Sequence, residues 1–255
     1  HNVFFIKVEP LKDVVYKAIK EGKVNQGRVK KKDEAMWKAF QETGMETKET
    51  RQIKDIYNGN LLLDKTRGIV HLGEVMEMIM DSFEDVMRKG PLAMEPSIRL
   101  KVSLMDTKLH EDAIHRGPAQ VLPAVREGIR HAMILAGPVI YEPLQIMQFE
   151  APDKFMGELS KLVQNRRGQL MDMITEGSRV VVKARMPVAE MFGLTSDLRA
   201  ATEGRGSQSL IDQLFEKMPG ELQDKVTSQI RQRKGLKLLE GVAVPDAEAR
   251  KQEKK

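Results

Sequence analysis

Two histidines, His110 and His115, share one short stretch with an arginine and two carboxylates: His110-Glu111-Asp112-Ala113-Ile114-His115-Arg116-Gly117-Pro118-Ala119-Gln120. Imidazole titrates near about pH 6.5, so either ring could act as a general acid or base, as in a nuclease. As zinc ligands the pair is badly spaced. The zinc-protease motif sets its histidines four apart, whereas five residues carry a helix about 140° past a full turn, onto different faces. Tetrahedral zinc would also need further ligands, and the chain has no Cys. An acid–base role needs a second group converging on the scissile bond, and here the partners are neighbours on one loop. A loop His with no chemical role is the plainer reading, and contact with a partner is a third.

The elements on either side say where this stretch sits. Upstream, Ile98, Leu100, Val102 and Leu104 alternate with Arg99, Lys101 and Ser103, the period of a strand with one buried face. Downstream, Pro123 suits the first turn of a helix whose Val125, Ile129, Ala132 and Met133 recur at helical spacing. The histidines therefore occupy a strand-to-helix loop broken by Gly117-Pro118, and polar rings on a loop over a rigid scaffold point to a partner.

Composition narrows the class. The 255 residues suit one large domain or two ordinary ones, and the formal charge of +5 is a mild basic excess compatible with RNA. The lack of Cys excludes disulfides and thiol catalysis and fits a cytoplasmic chain. No apolar run approaches the roughly eighteen residues of a membrane helix. His1 leads straight into strand-like Val3-Phe4-Phe5-Ile6-Lys7-Val8-Glu9, so the chain reads as cut from a longer protein. Gly22 to Gly27 and Gly68 to Gly73 have the glycine spacing of a P-loop. Arg28-Val29 and Glu74-Val75 follow them, where Lys-Ser/Thr is required, so neither can cradle a nucleoside triphosphate.

Along the chain, Leu11 to Ile19 and Asp33 to Thr43 read as amphipathic helices, with Asp33 a cap. Between them Arg28, Lys30, Lys31 and Lys32 form a basic cluster, either a solvated run or an RNA-facing patch. Trp37 sits at helical spacing with Phe40 and is expected to pack. Asn58-Gly59-Asn60 signals a turn between strand-like pieces, Lys65-Thr66-Arg67-Gly68 is a second basic loop, and Val75 to Met87 marks a strong helix from Leu72. After a break near Val139 to Glu142, strands over 143–150, 168–175, 179–186 and 207–215 interleave with helices over 152–165 and 189–202. That order, β-α-β-β-α-β, predicts a ferredoxin-like sandwich with a four-stranded antiparallel sheet. No aromatic residue lies in 168–186, which disfavours a sheet-face binder of single-stranded RNA. A polar helix with a basic end at Arg231, Arg233 and Lys234 follows, and the charged residues from about 238 are expected to be disordered.

Three stretches carry a family resemblance. Asp112-Ala113-Ile114-His115-Arg116-Gly117, with Gln120 and Pro123, resembles the diphthamide loop of translation elongation factor 2, nearer the archaeal branch because Gly117-Pro118-Ala119-Gln120 replaces the eukaryotic glycine run. Met186-Pro187-Val188-Ala189-Glu190-Met191-Phe192-Gly193-Leu194-Thr195-Ser196-Asp197-Leu198-Arg199 and Arg231-Gln232-Arg233-Lys234-Gly235-Leu236-Lys237 are similar to later motifs of the family, in order. The resemblance implies an α+β chain of two domains. Residues 1–140 would be domain IV, a ribosomal-protein-S5-domain-2-like α/β sandwich with helices on one side of its sheet. Residues 141–218 would be the ferredoxin-like domain V, with a C-terminal helix over 219–237 and a tail over 238–255. It implies a translocation arm, the C-terminal part of a translational GTPase that acts as a cytoplasmic monomer on the ribosome. His115 would be the residue modified to diphthamide by dedicated enzymes. Lys108, His110, Asp112, His115, Arg116, Gly117 and Gln120 would be the candidates for contact with rRNA, tRNA or mRNA, and Lys108 and Arg116 would direct charge at phosphates. Gly117 and Pro118 would fix the turn. GTP and magnesium would belong to the parent protein, with no cofactor or metal in this part and no membrane partner. A stand-alone RNA-binding module and a His-dependent nuclease are the alternatives.

Overall fold

The computed structural model describes residues 2–237, so the expectation for the tail lies outside the described residues. The chain forms two compact units. One runs to Pro138 and takes in the chain again from Val226, and the other is Val139–Lys225.

The first unit contains β1 (Val3–Pro10), α1 (Asp13–Lys20), β2 (Gly27–Arg28), α2 (Glu34–Glu42), α3 (Thr47–Gln52), β3 (Ile53–Tyr57), β4 (Asn60–Asp64), α4 (Leu72–Arg88), β5 (Leu100–Lys108) and α5 (Pro118–Leu135). Its sheet runs in the order β1-β5-β4-β3-β2, antiparallel throughout except for the β4–β5 pair, whose parallel link is made by α4. Asp33 caps α2 by accepting from the Met36 amide at 2.9 Å. Asn58 and Gly59 both take positive φ in the β3–β4 hairpin, and a Cβ on Gly59 would lie 2.6 Å from the Tyr16 ring.

Helices cover both faces of this sheet, which corrects the one-sided sandwich expected. Leu62 packs with Val102, Leu104, Phe83 and Ile129 against α4 and α5. Leu61 and Leu63 point the opposite way, into Val15, Ile19 and Phe40 of α1 and α2. The consecutive Leu61-Leu62-Leu63 is the pattern of a strand buried on two sides. The polar alternation of β5 misled, because Ser103 is fully buried on the second face and Lys101 is paired there with Glu49.

A second correction concerns α5. It begins at Pro118, so Pro123 lies inside the helix, not in its first turn. Proline's fixed φ suits the first helical position, and Pro118 fills it.

The second unit contains β6 (Tyr141–Pro152), α6 (Met156–Asn165), β7 (Gln169–Glu176), β8 (Arg179–Pro187), α7 (Leu194–Ala201) and β9 (Ser207–Lys217). The sheet order is β7-β8-β6-β9, all antiparallel. Phe149, Val182 and Met186 meet Leu159, Val163 and Leu198 of the helices in one core. The helix expected over 189–202 is broken. A short 3-10 turn spans Val188–Glu190, Gly193 takes a φ of 74°, and α7 starts only at Leu194. Helix α8 (Gly220–Arg233) ends within the first unit, where Arg231 donates to the Leu92 carbonyl and Lys234 to those of Ala93 and Met94.

Candidate functional site

The His110–Gly117 loop leaves β5 at Lys108, makes a 3-10 turn over Ala113–Arg116 and enters α5 at Pro118. Short-range hydrogen bonds shape its middle. Asp112 accepts from the Ile114 amide at 3.1 Å, and its own amide donates to Nδ1 of His110 at 3.0 Å. Nδ1 of His110 is thereby an acceptor, which puts the proton of the neutral ring on Nε2. The His110 and His115 rings meet edge to face, centroids 4.4 Å apart.

Two distant residues hold the ends. Asn2 lies one residue before β1, whose Val3 pairs with Lys108. Its amide nitrogen donates to the His115 carbonyl at 2.7 Å, and its amide oxygen accepts from the His110 N–H at 2.9 Å. Arg116 does the rest. Its Nη1 donates to the carbonyls of His110 and Glu111, each at 2.6 Å. Its Nε and Nη2 meet one carboxylate oxygen of Glu74, in the first turn of α4, at 3.1 and 2.7 Å. Arg116, with His71 adding to it, holds the Glu74 carboxyl below the usual carboxylate range.

Arg116 is therefore not the outward-facing cation expected. It is 6% exposed, and its N–H groups are divided between the loop carbonyls and Glu74 of α4. Glu111, Asp112, Ala113 and Ile114 form the exposed apex, with Ile114 at 73%, while His110, His115 and Gly117 are half-buried. Lys108 is exposed at the end of β5, and Gln120 is exposed on the first turn of α5. Gly117 has an extended backbone, φ −75° and ψ 170°, open to any residue. It does not supply a glycine-only turn. A Cβ there would approach Oε1 of Gln120 at 3.3 Å, so it leaves room for that side chain.

The basic clusters divide in the same way. Arg28 is bound by Glu77, Asp81 and Glu84 of α4 at 2.6, 2.5 and 2.8 Å, and Lys65 by Glu49 at 2.6 Å. These cations stitch elements together, while Lys30, Lys31, Lys32 and Arg67 stay exposed. Asn2 and Glu74 carried no local signal in the sequence. Their loop partners are up to 113 and 42 residues away, and only the β1–β5 pairing and the packing of α4 bring them there.

The family model "Elongation factor G, domain IV" matches residues 22–137, and "Elongation factor G C-terminus" matches residues 139–235. This chain belongs to the elongation factor G/2 family. Elongation factor 2 of Methanosphaera stadtmanae is 46% identical over 236 residues, which are 92% of this chain and 32% of that protein. That of Nanoarchaeum equitans is 47% identical over 241 residues, 93% and 32% respectively. That of Pyrococcus furiosus is 48% identical over 236 residues, again 92% and 32%. The chain thus spans about a third of the length of the curated relatives it matches, and the two matching family models describe a domain IV and a C-terminus, neither of them a GTPase domain.

Proposed function

We propose that this chain is the translocation arm of a GTP-dependent ribosomal translocase, and that the His115 loop enters the decoding region as tRNA and mRNA advance. The first unit would be the S5-domain-2-like domain IV, with a further helical layer, and the second the ferredoxin-like domain V. One observation carries the reading: the loop is tied at both ends by Asn2 and Arg116, so its apex is presented as a preformed tip. A tip with fixed main chain transmits force and position, as an arm that must hold paired codon and anticodon requires.

In this reading His115 receives diphthamide from the family's modifying enzymes. Its anchored carbonyl fixes the root of the side chain, and the residue stays half-buried at the edge of the exposed apex. Lys108, His110, Asp112, Gly117 and Gln120 remain contact candidates. Lys108 would meet phosphate without reading sequence, which suits a factor that handles every codon. Arg116 becomes a positioning residue. GTP and magnesium act on the parent protein's GTPase domain, and the whole works as a cytoplasmic monomer.

The test is His115→Ala in the full-length factor. Toeprinted translocation should slow and frameshifting rise, while ribosome-stimulated GTP hydrolysis is retained. Unchanged translocation and reading frame would remove the tip-loop account.

A further inference from the structure

Residues 65–71 join β4 to α4, and this loop shares a cleft with the tip loop, to which His71 and Glu111 both contribute. His71 ends the loop with φ 66° and ψ 5°, a left-handed conformation that a Cβ disfavours. Capping does not account for a histidine there. Its side chain makes no hydrogen bond to the first turn of α4, and Gly or Asn would take this backbone more readily. The imidazole goes to Glu74 instead, with Nδ1 2.6 Å from Oε1. That carboxyl, ionised beside Arg116, can only accept, so Nδ1 of His71 carries the proton and donates. Oε2 takes Nε and Nη2 of Arg116 at 3.1 and 2.7 Å, and Nη1 reaches the His110 and Glu111 carbonyls. His71, Glu74 and Arg116 thus form one run of hydrogen bonds that ends on the main chain of the tip loop.

We infer that His71 is a positioning residue for the tip: by holding Oε1 of Glu74 it turns Oε2 toward Arg116, and so fixes the main chain from which His115 projects. The inference rests on the tip-loop reading above. The Glu74 side chain is half exposed, and a solvated carboxylate with a single partner can swing about its own bonds. An arginine commonly takes both oxygens of a carboxylate in a fork. Here both arginine nitrogens share Oε2, and Oε1 belongs to His71. With a donor on each oxygen the carboxylate has one orientation, and the guanidinium behind it has one as well. The strained backbone at 71 is what aims the imidazole at this oxygen.

The test compares His71→Gly with His71→Asn in this chain. Glycine accepts the backbone at 71 but removes the donor, so the thermal midpoint should be retained. Amide exchange over residues 110–116 should nevertheless quicken about tenfold, and the Nε–H resonance of Arg116 should shift. Asparagine also tolerates the left-handed backbone and restores a donor, so it should recover most of both readings. On an Arg116→Ala background His71→Gly should add nothing, because the two residues act through one carboxylate. Unchanged exchange in His71→Gly, no recovery with His71→Asn, or additive effects in the double variant would overturn the inference. In the full-length factor His71→Gly should slow toeprinted translocation. A loosened loop with translocation unchanged would instead sink the tip-loop reading and leave the positioning role standing.

Discussion

Nη2 of Arg116 lies 2.7 Å from the Glu74 carboxylate, while Nη1 of the same guanidinium binds the His110 and Glu111 carbonyls. The planar fork thus joins the tip loop to the start of α4, and a residue whose type suggests phosphate contact works inside the protein.

Arg116→Ala should therefore act on stability first. It strips the donor from two loop carbonyls, at a cost of about 1–3 kcal/mol. Arg116→Lys should recover only part, since a point charge cannot span three acceptors in a fork. The urea midpoint of this chain measures the loss. A midpoint unchanged in Arg116→Ala would show that the loop does not depend on this guanidinium.

Asn2→Ala removes the clamp across the loop's two ends and should cost about 1–2 kcal/mol. His115→Ala leaves that clamp in place, because Asn2 holds the main-chain carbonyl of His115 and not its ring. It should cost less than about 1 kcal/mol. Amide exchange across residues 110–116 should quicken much more in Asn2→Ala than in His115→Ala. The reverse order would make the imidazole the structural element.

Asp55 offers a test in pH. It is fully buried on β3, neither carboxylate oxygen has a hydrogen-bond partner, and burial pushes its pKa from 3.8 up to about 7, with Glu84 adding to the shift. A proton on Asp55 lets it donate to Glu84, whose own carboxyl Arg28 holds below the usual range. Between pH 3.8 and about 7 the folded state keeps a proton that the unfolded chain has lost. The stability due to Asp55 is thus fully present below that window and falls as pH rises through it. Glu84 has the opposite sign, and its contribution is lost only on acidification. Asp55→Asn should gain over the unaltered chain more at pH 8 than at pH 5, by urea midpoint. An equal difference at both values would rule out a titrating Asp55.

Nucleotide binding gives a simpler check. Neither glycine-spaced stretch is followed by Lys-Ser/Thr, so calorimetry with GTP and magnesium should show no saturable heat for this chain. A saturable isotherm would mean that a phosphate site exists without that pair.

Local pattern by itself determined a good deal here. The periods of β1, α4, β6 and the β7–β8 hairpin could be read directly, as could the β-α-β-β-α-β order, because each rests on neighbours within one element. The loop motif around His115 and the family it belongs to were equally legible, since motif matching uses residue type and order alone. Tertiary structure decided the rest. Ser103 and Lys101 look like a solvent face until α1 to α3 cover it, and Pro118, read as a loop break, instead starts the helix that Pro123 was expected to open. Residue type and spacing likewise left open whether a cation faces water or a carboxylate. Arg116 and Arg28 turn inward because α4 brings Glu74, Glu77, Asp81 and Glu84 to them across long stretches of chain. Phe192 stays outside where Arg166 binds its carbonyl and Gly193 turns the chain, so the helix expected over 189–202 starts only at Leu194.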